Sequence, residues 1–235
     1  MEINKGILIK DLALYLKKHE TLIIGDLHLG YEGYLEKKGV LIPRFQLKDI
    51  IRKLKKLLKL KIKRVILNGD IKHEFGKILK QEWTDITKLF DLLNNYEVIV
   101  IKGNHDVILH PITDRKNIGI VKEYQLDDVL IIHGDSEPKI DKTIKTIIMG
   151  HEHPAISFKE TGRVEKYKCF LKGIYKKKTL IVQPSFNPLI EGSDILKERF
   201  LSPLFKNITN CEIWVIDREK VLNFGKLNKL KRKLH

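Results

Sequence analysis

Five short aliphatic runs constrain this chain more than any other feature, because each of them stops at a polar tip. TLIIGDLH ends on Asp26 and His28, and RVILNGD ends on Asn68 and Asp70. VIVIKGNHD ends on Asn104, His105 and Asp106, VLIIHGD on His133 and Asp135, and TIIMGHEHP on His151, Glu152 and His153. Runs of Ile, Val and Leu bounded by Gly read as strands buried on both faces. Ordinary turn chemistry accounts for Gly103 and Asn104 but not for His105 beside Asp106. Open α/β sheets place ligands beyond the carboxyl ends of their strands. The five tips therefore describe one pocket rather than five turns.

The segments between the runs supply helices. Leu47, Ile50, Ile51, Leu54, Leu57 and Leu58 recur at helical spacing with Lys and Arg between them. That helix leads into a strand over 64–68, a β-α-β progression that needs a right-handed crossover. A second helix is expected over about 79–94, with Trp83, Ile86, Leu89, Phe90 and Leu93 inward, feeding a strand over 97–101. Near the start, 7–16 and 21–25 read as two strands. After His153, KYKCFLKGIYKKKTLIVQPS reads as two strands around a lysine-rich turn, so this half of the sheet is expected to be antiparallel. KLNKLKRKLH, residues 226–235, holds five basic side chains and no acid, and is expected to be a solvated tail on a single domain over 1–225.

A chain of 235 residues suits one generous domain. No run approaches the roughly 18 apolar residues of a membrane span, and MEINKGILIKDLALYL lacks the features of a signal peptide. Cys169 and Cys211 have no CxxC spacing and read as free thiols in a reducing cytoplasm. The formal charge of +15 suggests polyanionic partners. Lys-, Glu- and Ile-rich compositions also occur in heat-adapted proteins, so charge alone leaves both readings open.

Asp26, His28, Asp70, Asn104, His133, His151 and His153 offer carboxylate, amide and imidazole ligands suited to Mn, Fe, Co, Ni or Zn. One ion would not need seven such groups, whereas two ions sharing a carboxylate would. This distribution resembles the calcineurin-like metallophosphoesterase superfamily. The matching segments are Asp26-Leu27-His28, Gly69-Asp70, Gly103-Asn104-His105-Asp106, His133-Gly134 and Gly150-His151-Glu152-His153, in that order over about residues 21–153. The resemblance implies an α/β fold, a four-layer αββα sandwich of two mixed sheets flanked by helices. It implies that Asp26, His28, Asp70 and His153 hold one ion, and that Asp70, Asn104, His133 and His151 hold a second, with Asp70 as the bridge. Manganese is the implied metal, with Fe, Ni, Co and Zn open. Two ions about 3.5–4 Å apart acidify a bridging water, whose hydroxide attacks phosphorus in line. His105 is implied to face the substrate, where it stabilises charge or protonates the leaving group. Asp106 reads as a brace for the turn.

His73, a further catalytic candidate expected to act through His105, also narrows the substrate. Many protein phosphatases of the superfamily carry Asp three positions after the bridging carboxylate, whereas double-strand-break repair nucleases and their bacterial SbcD-type relatives carry His. DLHLGYE and QPSFNPLIEG also resemble an archaeal group of small phosphoesterases related to those nucleases. The expectation is therefore phosphodiester hydrolysis in nucleic acid or nucleotides, with a link to DNA repair. This chain is too short for the extra DNA-capping domain of the large nucleases, so processive double-strand cleavage is not expected. Rival readings are a phosphatase or cyclic-nucleotide phosphodiesterase acting on small molecules, and a silent nucleic-acid-binding protein. The complete ligand set, with His105 present, argues against silence, and a homodimer stays open. Weaker signals remain. Phe158, Lys159, Arg163, Lys166, Tyr167, Lys168 and Tyr175 mix basic and stacking groups, or simply form a hairpin with a wet lysine face. Eight basic residues from Arg52 to Arg64 read as the solvated face of a helix. Arg44, Lys72 and Asn187 are candidate substrate contacts, and His19, His110 and His235 read as ordinary.

Overall fold

The apolar runs become strands. A computed structural model describes residues 1–160, 162–205, 209–218 and 220–234. The first sheet holds, in spatial order, β1 (Glu2–Asn4), β2 (Ile7–Lys10), β3 (Ala13–Leu16), β4 (Thr21–Gly25), β5 (Arg64–Asn68), β6 (Glu97–Ile101) and β7 (Ile120–Val121). β1 to β4 pair antiparallel and β4 to β7 parallel. The crossover from β4 to β5 runs through α1 (Tyr31–Lys37) and α2 (Gln46–Leu57). α3 (Lys80–Leu92) joins β5 to β6, and α4 (His110–Thr113) precedes β7.

The second sheet is built from β8 (Glu123–Leu126), β9 (Val129–Ile132), β10 (Thr146–Met149), β11 (Pro154–Glu160), β12 (Arg163–Tyr175), β13 (Lys178–Val182), β14 (Ser193–Asp194), β15 (Glu212–Asp217) and β16 (Lys220–Lys226). Its order is β14-β11-β12-β13-β10-β9-β8, with β15 paired to β12 and β16 to β15. Side chains alternate between two cores with the period of a strand. Ile131, Ile148 and Ile181 join the cluster built around the first sheet, which also takes Ile50 and Leu54 of α2 and Ile86 and Leu89 of α3. Their neighbours Leu130, Ile132, Ile147, Met149, Leu180 and Val182 face a second core on the far side. The architecture is thus two mixed sheets with helices outside them, the expected sandwich.

Three local expectations change. Residues 7–16 fold as a β2–β3 hairpin, because Asp11 turns the chain with φ +52°. β12 and β13 are antiparallel as expected, but β13 lies parallel to β10, and β10 parallel to β9, so this half of the fold is mixed. The basic segment after Lys226 is a helix rather than a free tail. In α5 (Leu227–Leu234), Leu227 and Leu230 share one face at i, i+3 and are buried in the second core. His235 lies outside the described residues. No described helix is long and apolar enough to cross a membrane.

Candidate metal centre

The strands β4, β5, β6, β9 and β10 deliver their tips to one end of the molecule. Asp26 follows β4, Asp70 follows β5, Asn104 and His105 follow β6, His133 follows β9, and His151 and His153 follow β10. The chain bends sharply at these tips. Asp26, His28, Asp70, His151 and His153 all have left-handed backbones, with φ between +42° and +68°. For non-glycine residues that conformation costs about 1–2 kcal/mol each, and such strain concentrates at functional sites. Glycine is required where the tips pack together. A Cβ on Gly69 (φ +76°) would lie 2.1 Å from His133 Nδ1, and one on Gly103 would lie 2.2 Å from Asp70 Oδ1.

Among the described residues three groups of donors converge; one joins His28 to His73 and His105, and the other two hold the expected ligands. In one of these two, His28 Nε2 lies 3.3 Å from His153 Nε2, which lies 3.4 Å from Asp26 Oδ1. In the other, His133 Nε2 lies 3.4 Å from Asp70 Oδ2, 3.2 Å from His151 Nδ1 and 3.0 Å from Asn104 Oδ1. Asp70 Oδ2 is also 3.6 Å from His28 Nε2, so one carboxylate reaches both groups. Four-coordinate divalent ions with ligands about 2.1 Å away hold those ligand atoms about 3.4 Å apart. The converging lone pairs of each group have that spacing, and the residues fit a divalent ion in each.

The electrostatics agree. Burial opposes a charge on Asp70, yet the hydrogen bond and charge of His133 prevail and hold its carboxyl well below the usual range. Burial likewise opposes the charge on His133, but Asp70, by hydrogen bond and charge, followed by Asp26, pushes it up to about 9. His28 is held well below its ordinary value by burial and then by His153, and His151 is lowered by burial and then by His133. The hydrogen bond and charge of Asp70 thus favour a proton on His133. A divalent cation would expel that proton, as metal binding to imidazole does.

The other tip residues are also assigned places. His105 donates its backbone N–H to Asp70 Oδ1 at 2.9 Å and its Nδ1–H to the His73 carbonyl at 2.5 Å. Its Nε2 is left free, 3.9 Å from Asp70 Oδ2. His73 meets His105 through that carbonyl and by ring stacking at 5.4 Å, while its own Nδ1 lies 3.4 Å from His28 Nδ1. Burial, followed by the charge of His105, lowers His73 to about 4. Asp106 is fully buried and braces two tips. Its Oδ1 accepts the N–H groups of Ile71 (2.9 Å) and Lys72 (3.2 Å), and its Oδ2 that of Gly103 (3.0 Å).

Several supporting residues were not expected in that role. Gln46 Nε2 donates to the His28 carbonyl at 2.8 Å, and Ser185 Oγ to the Asp26 carbonyl at 2.7 Å. Lys168 Nζ donates to the carbonyls of Ser185 (2.8 Å) and Asn187. Buried Glu82 accepts the N–H groups of His73 (3.0 Å), Glu74 (2.7 Å) and Leu79 (2.7 Å). Its place as third residue of α3 was the available clue, since that position commonly caps a helix start. The weaker candidates are engaged elsewhere. Arg44 pairs with Glu36 and Gln81, Lys72 Nζ caps the Lys77 carbonyl, and Asn187 is buried, accepting the Leu189 N–H. In the β11–β12 hairpin, register sets Ile156 against Tyr167 and Phe158 against Glu165, but Ser157 against Lys166 and Ala155 against Lys168. Its aromatic and lysine side chains therefore occupy opposite faces.

Comparison with known proteins gives the following. A family model described as calcineurin-like phosphoesterase matches residues 19–172. A comparison with curated proteins finds no match. Among solved structures, the nuclease MPE of Pseudomonas putida is similar at a TM-score of 0.66 and 18% identity, over 93% of this chain and 94% of that one. Yfce, a phosphoesterase from E. coli, is similar at a TM-score of 0.45 and 12% identity, over 86% and 96%. Vacuolar Protein Sorting 29 from Cryptosporidium parvum gives 0.40 and 16%, over 88% and 97%.

Proposed function

The chain belongs to the calcineurin-like phosphoesterases, and from that premise we propose that it hydrolyses phosphodiester bonds in nucleic acid or nucleotides, using two divalent ions, with manganese the first choice. Asp26, His28 and His153 would hold one ion, Asn104, His133 and His151 the other, and Asp70 both. The observation that carries this reading is the Asp70 carboxylate oxygen, 3.6 Å from His28 Nε2 in one donor group and 3.4 Å from His133 Nε2 in the other. Two such ions supply Lewis acidity toward a phosphoryl oxygen and make water acidic enough to be a nucleophile at neutral pH.

The chain's own groups do the rest. Five backbone contacts fix the ligands. Asp26 is held through its carbonyl by Ser185, His28 through its carbonyl by Gln46, and the loops after β5 and β6 by Asp106. His105 is oriented at both its backbone N–H and its Nδ1–H, which leaves Nε2 to hold a proton for the leaving oxygen or to stabilise charge on the phosphoryl group. The preference for a diester in nucleic acid rests on His73, on the net charge of +15 and on the resemblance of DLHLGYE and QPSFNPLIEG to small phosphoesterases related to repair nucleases. The Pseudomonas putida neighbour is a nuclease, and the likeness to it is one of fold. Free, buried Cys169 and Cys211 support a reducing compartment.

The test is a substrate and metal screen. Chelated protein is reloaded separately with Mn, Fe, Co, Ni and Zn, then assayed on nitrophenyl mono- and diesters, nucleotides and labelled DNA and RNA. Diester and oligonucleotide cleavage that returns with metal is expected. Full activity in chelator, or turnover confined to monoesters, would overturn the proposal.

A further inference from the structure

Phe75 is half exposed, at 50% of its surface, yet the loop that carries it is tightly held. Glu82, itself buried, grips the backbone N–H groups of His73, Glu74 and Leu79. Lys72, also buried, reaches forward to the Lys77 carbonyl at 3.2 Å. Two charged side chains withdrawn from water thus fix a short loop whose apolar residue points outward. The Phe75 ring lies with its centroid 3.7 Å from that of His105, at an interplanar angle of 34°. Tyr31 and Tyr34 close the same side, with centroids 4.8 and 4.6 Å from His73.

The opposite side of the centre differs. A cavity of about 430 Å³ beside His133 is lined by charges of both signs, Lys122 and Lys139 with Glu123, Asp135 and Glu137. One flank of the donor groups is therefore aromatic and the other charged. A phosphodiester carrying a flat ring on one side and further charge on the other matches that asymmetry.

Resting on the phosphodiesterase reading above, we propose that Phe75 is a stacking platform for the nucleobase next to the scissile phosphate, and so a specificity-determining residue for nucleic-acid substrates. The face of Phe75 turned away from His105 takes the base, which places the attached phosphate beside His105 Nε2. A base can reach an exposed ring only when it is out of a duplex, so the substrate end is single-stranded or frayed. One base–aromatic stack is worth about 1–3 kcal/mol, which corresponds to a change of about 5- to 150-fold.

The experiment compares three dinucleotides under the reloaded metal: one with both bases, and two in which the 5′ or the 3′ base is replaced by an abasic sugar. With the unmodified enzyme, kcat/KM is expected to fall by about 5- to 150-fold for one abasic compound. Phe75→Leu, which keeps an apolar contact on His105 but cannot stack, should close that gap, and Phe75→Trp should keep it. Metal content and thermal unfolding of each variant report on folding. A gap that persists in Phe75→Leu, or an unmodified enzyme indifferent to both missing bases, overturns the stacking role while leaving the phosphodiesterase reading intact. Hydrolysis of bis-nitrophenyl phosphate with no cleavage of any dinucleotide or oligonucleotide sinks the nucleic-acid reading, and this proposal with it.

Discussion

Asp70 and His105 touch through a single hydrogen bond, yet their side chains are set to different tasks, and substitution separates them. Asp70 Oδ2 faces both donor groups, while Oδ1 is spent on the His105 backbone N–H. Asp70→Asn keeps the shape and removes the charge, so both ions should bind more weakly, as read by elemental analysis and metal titration. A protein that binds one equivalent before and after the change does not have a shared carboxylate. His105→Ala should retain both ions and lose about 10²–10⁴ in turnover, the scale of a positioned acid or charge stabiliser. Loss of metal in that variant would make His105 a ligand instead. Lys168 supplies a pH signature of its own. Burial, followed by the charge of Lys53, lowers its ammonium to about 7. In the unfolded chain it holds its proton to about pH 10.4. Between these values the unfolded state binds the extra proton, so this residue makes stability rise with pH, by at most about 1.4 kcal/mol per unit. Urea unfolding from pH 7 to 10 should show a smaller rise in Lys168→Met than in the unmodified protein. Parallel curves for the two would remove Lys168 as the cause.

Among the elements, the β12–β13 hairpin carries an avoidable strain. Its two turn residues, Lys176 and Lys177, both have positive φ, +45° and +66°. Two-residue turns of that hand fit the twist of the strands but favour Asn-Gly. Lys177→Gly should therefore stabilise the protein by about 0.5–1 kcal/mol, the left-handed cost removed less the added freedom of the unfolded chain. In a chain of this size that is a rise of about 1–4 °C in Tm. An unchanged or lower Tm would argue against strain there. The same hairpin shows what a sequence can and cannot carry. Its strands and its lysine turn were legible, because alternation and a polar break are local signals. The parallel pairing of β13 with β10 was not, since it joins Leu180 to Ile147 across many residues of chain. The converging tips were legible for the same local reason: each is a strand end plus one to three polar residues. The roles of their supports were hidden, because Gln46 and Ser185 act on backbone carbonyls, and so does Lys168, which the sequence offered only as part of a basic hairpin. The β2–β3 turn lacked a glycine to announce it, with Asp11 taking the left-handed position. α5 was masked by its charge, since two leucines decide its burial while lysines dominate its composition.

At the scale of the whole molecule, the excess of fifteen positive charges has two explanations with different consequences. As a solvated coat it serves solubility and does nothing specific for substrate. As a guide for polyanions it must reveal itself in salt. The Arg52–Arg64 block follows the first pattern, with Leu54 and Leu57 buried and Arg52, Lys55, Lys56 and Lys59 exposed around them. The cavity beside His133 is where the second can be tested, since Lys122 and Lys139 line it together with Glu123, Asp135 and Glu137. Counterion release separates the two, because each backbone phosphate neutralised on a single strand contributes about −0.7 to the slope of log K against log salt. His105→Ala is the right protein for the measurement, since it should bind a short single-stranded oligonucleotide with metal in place and cut it slowly. Binding should weaken steeply with salt, with a slope of about −2 or beyond, equivalent to three or more phosphates. Replacing Lys122 and Lys139 together by Gln should make that slope shallower, whereas replacing Lys55 and Lys56 should leave it nearly unchanged. A flat slope, with good turnover of small esters by the unmodified enzyme, would turn the reading toward a small-molecule phosphoesterase whose positive surface serves solubility alone.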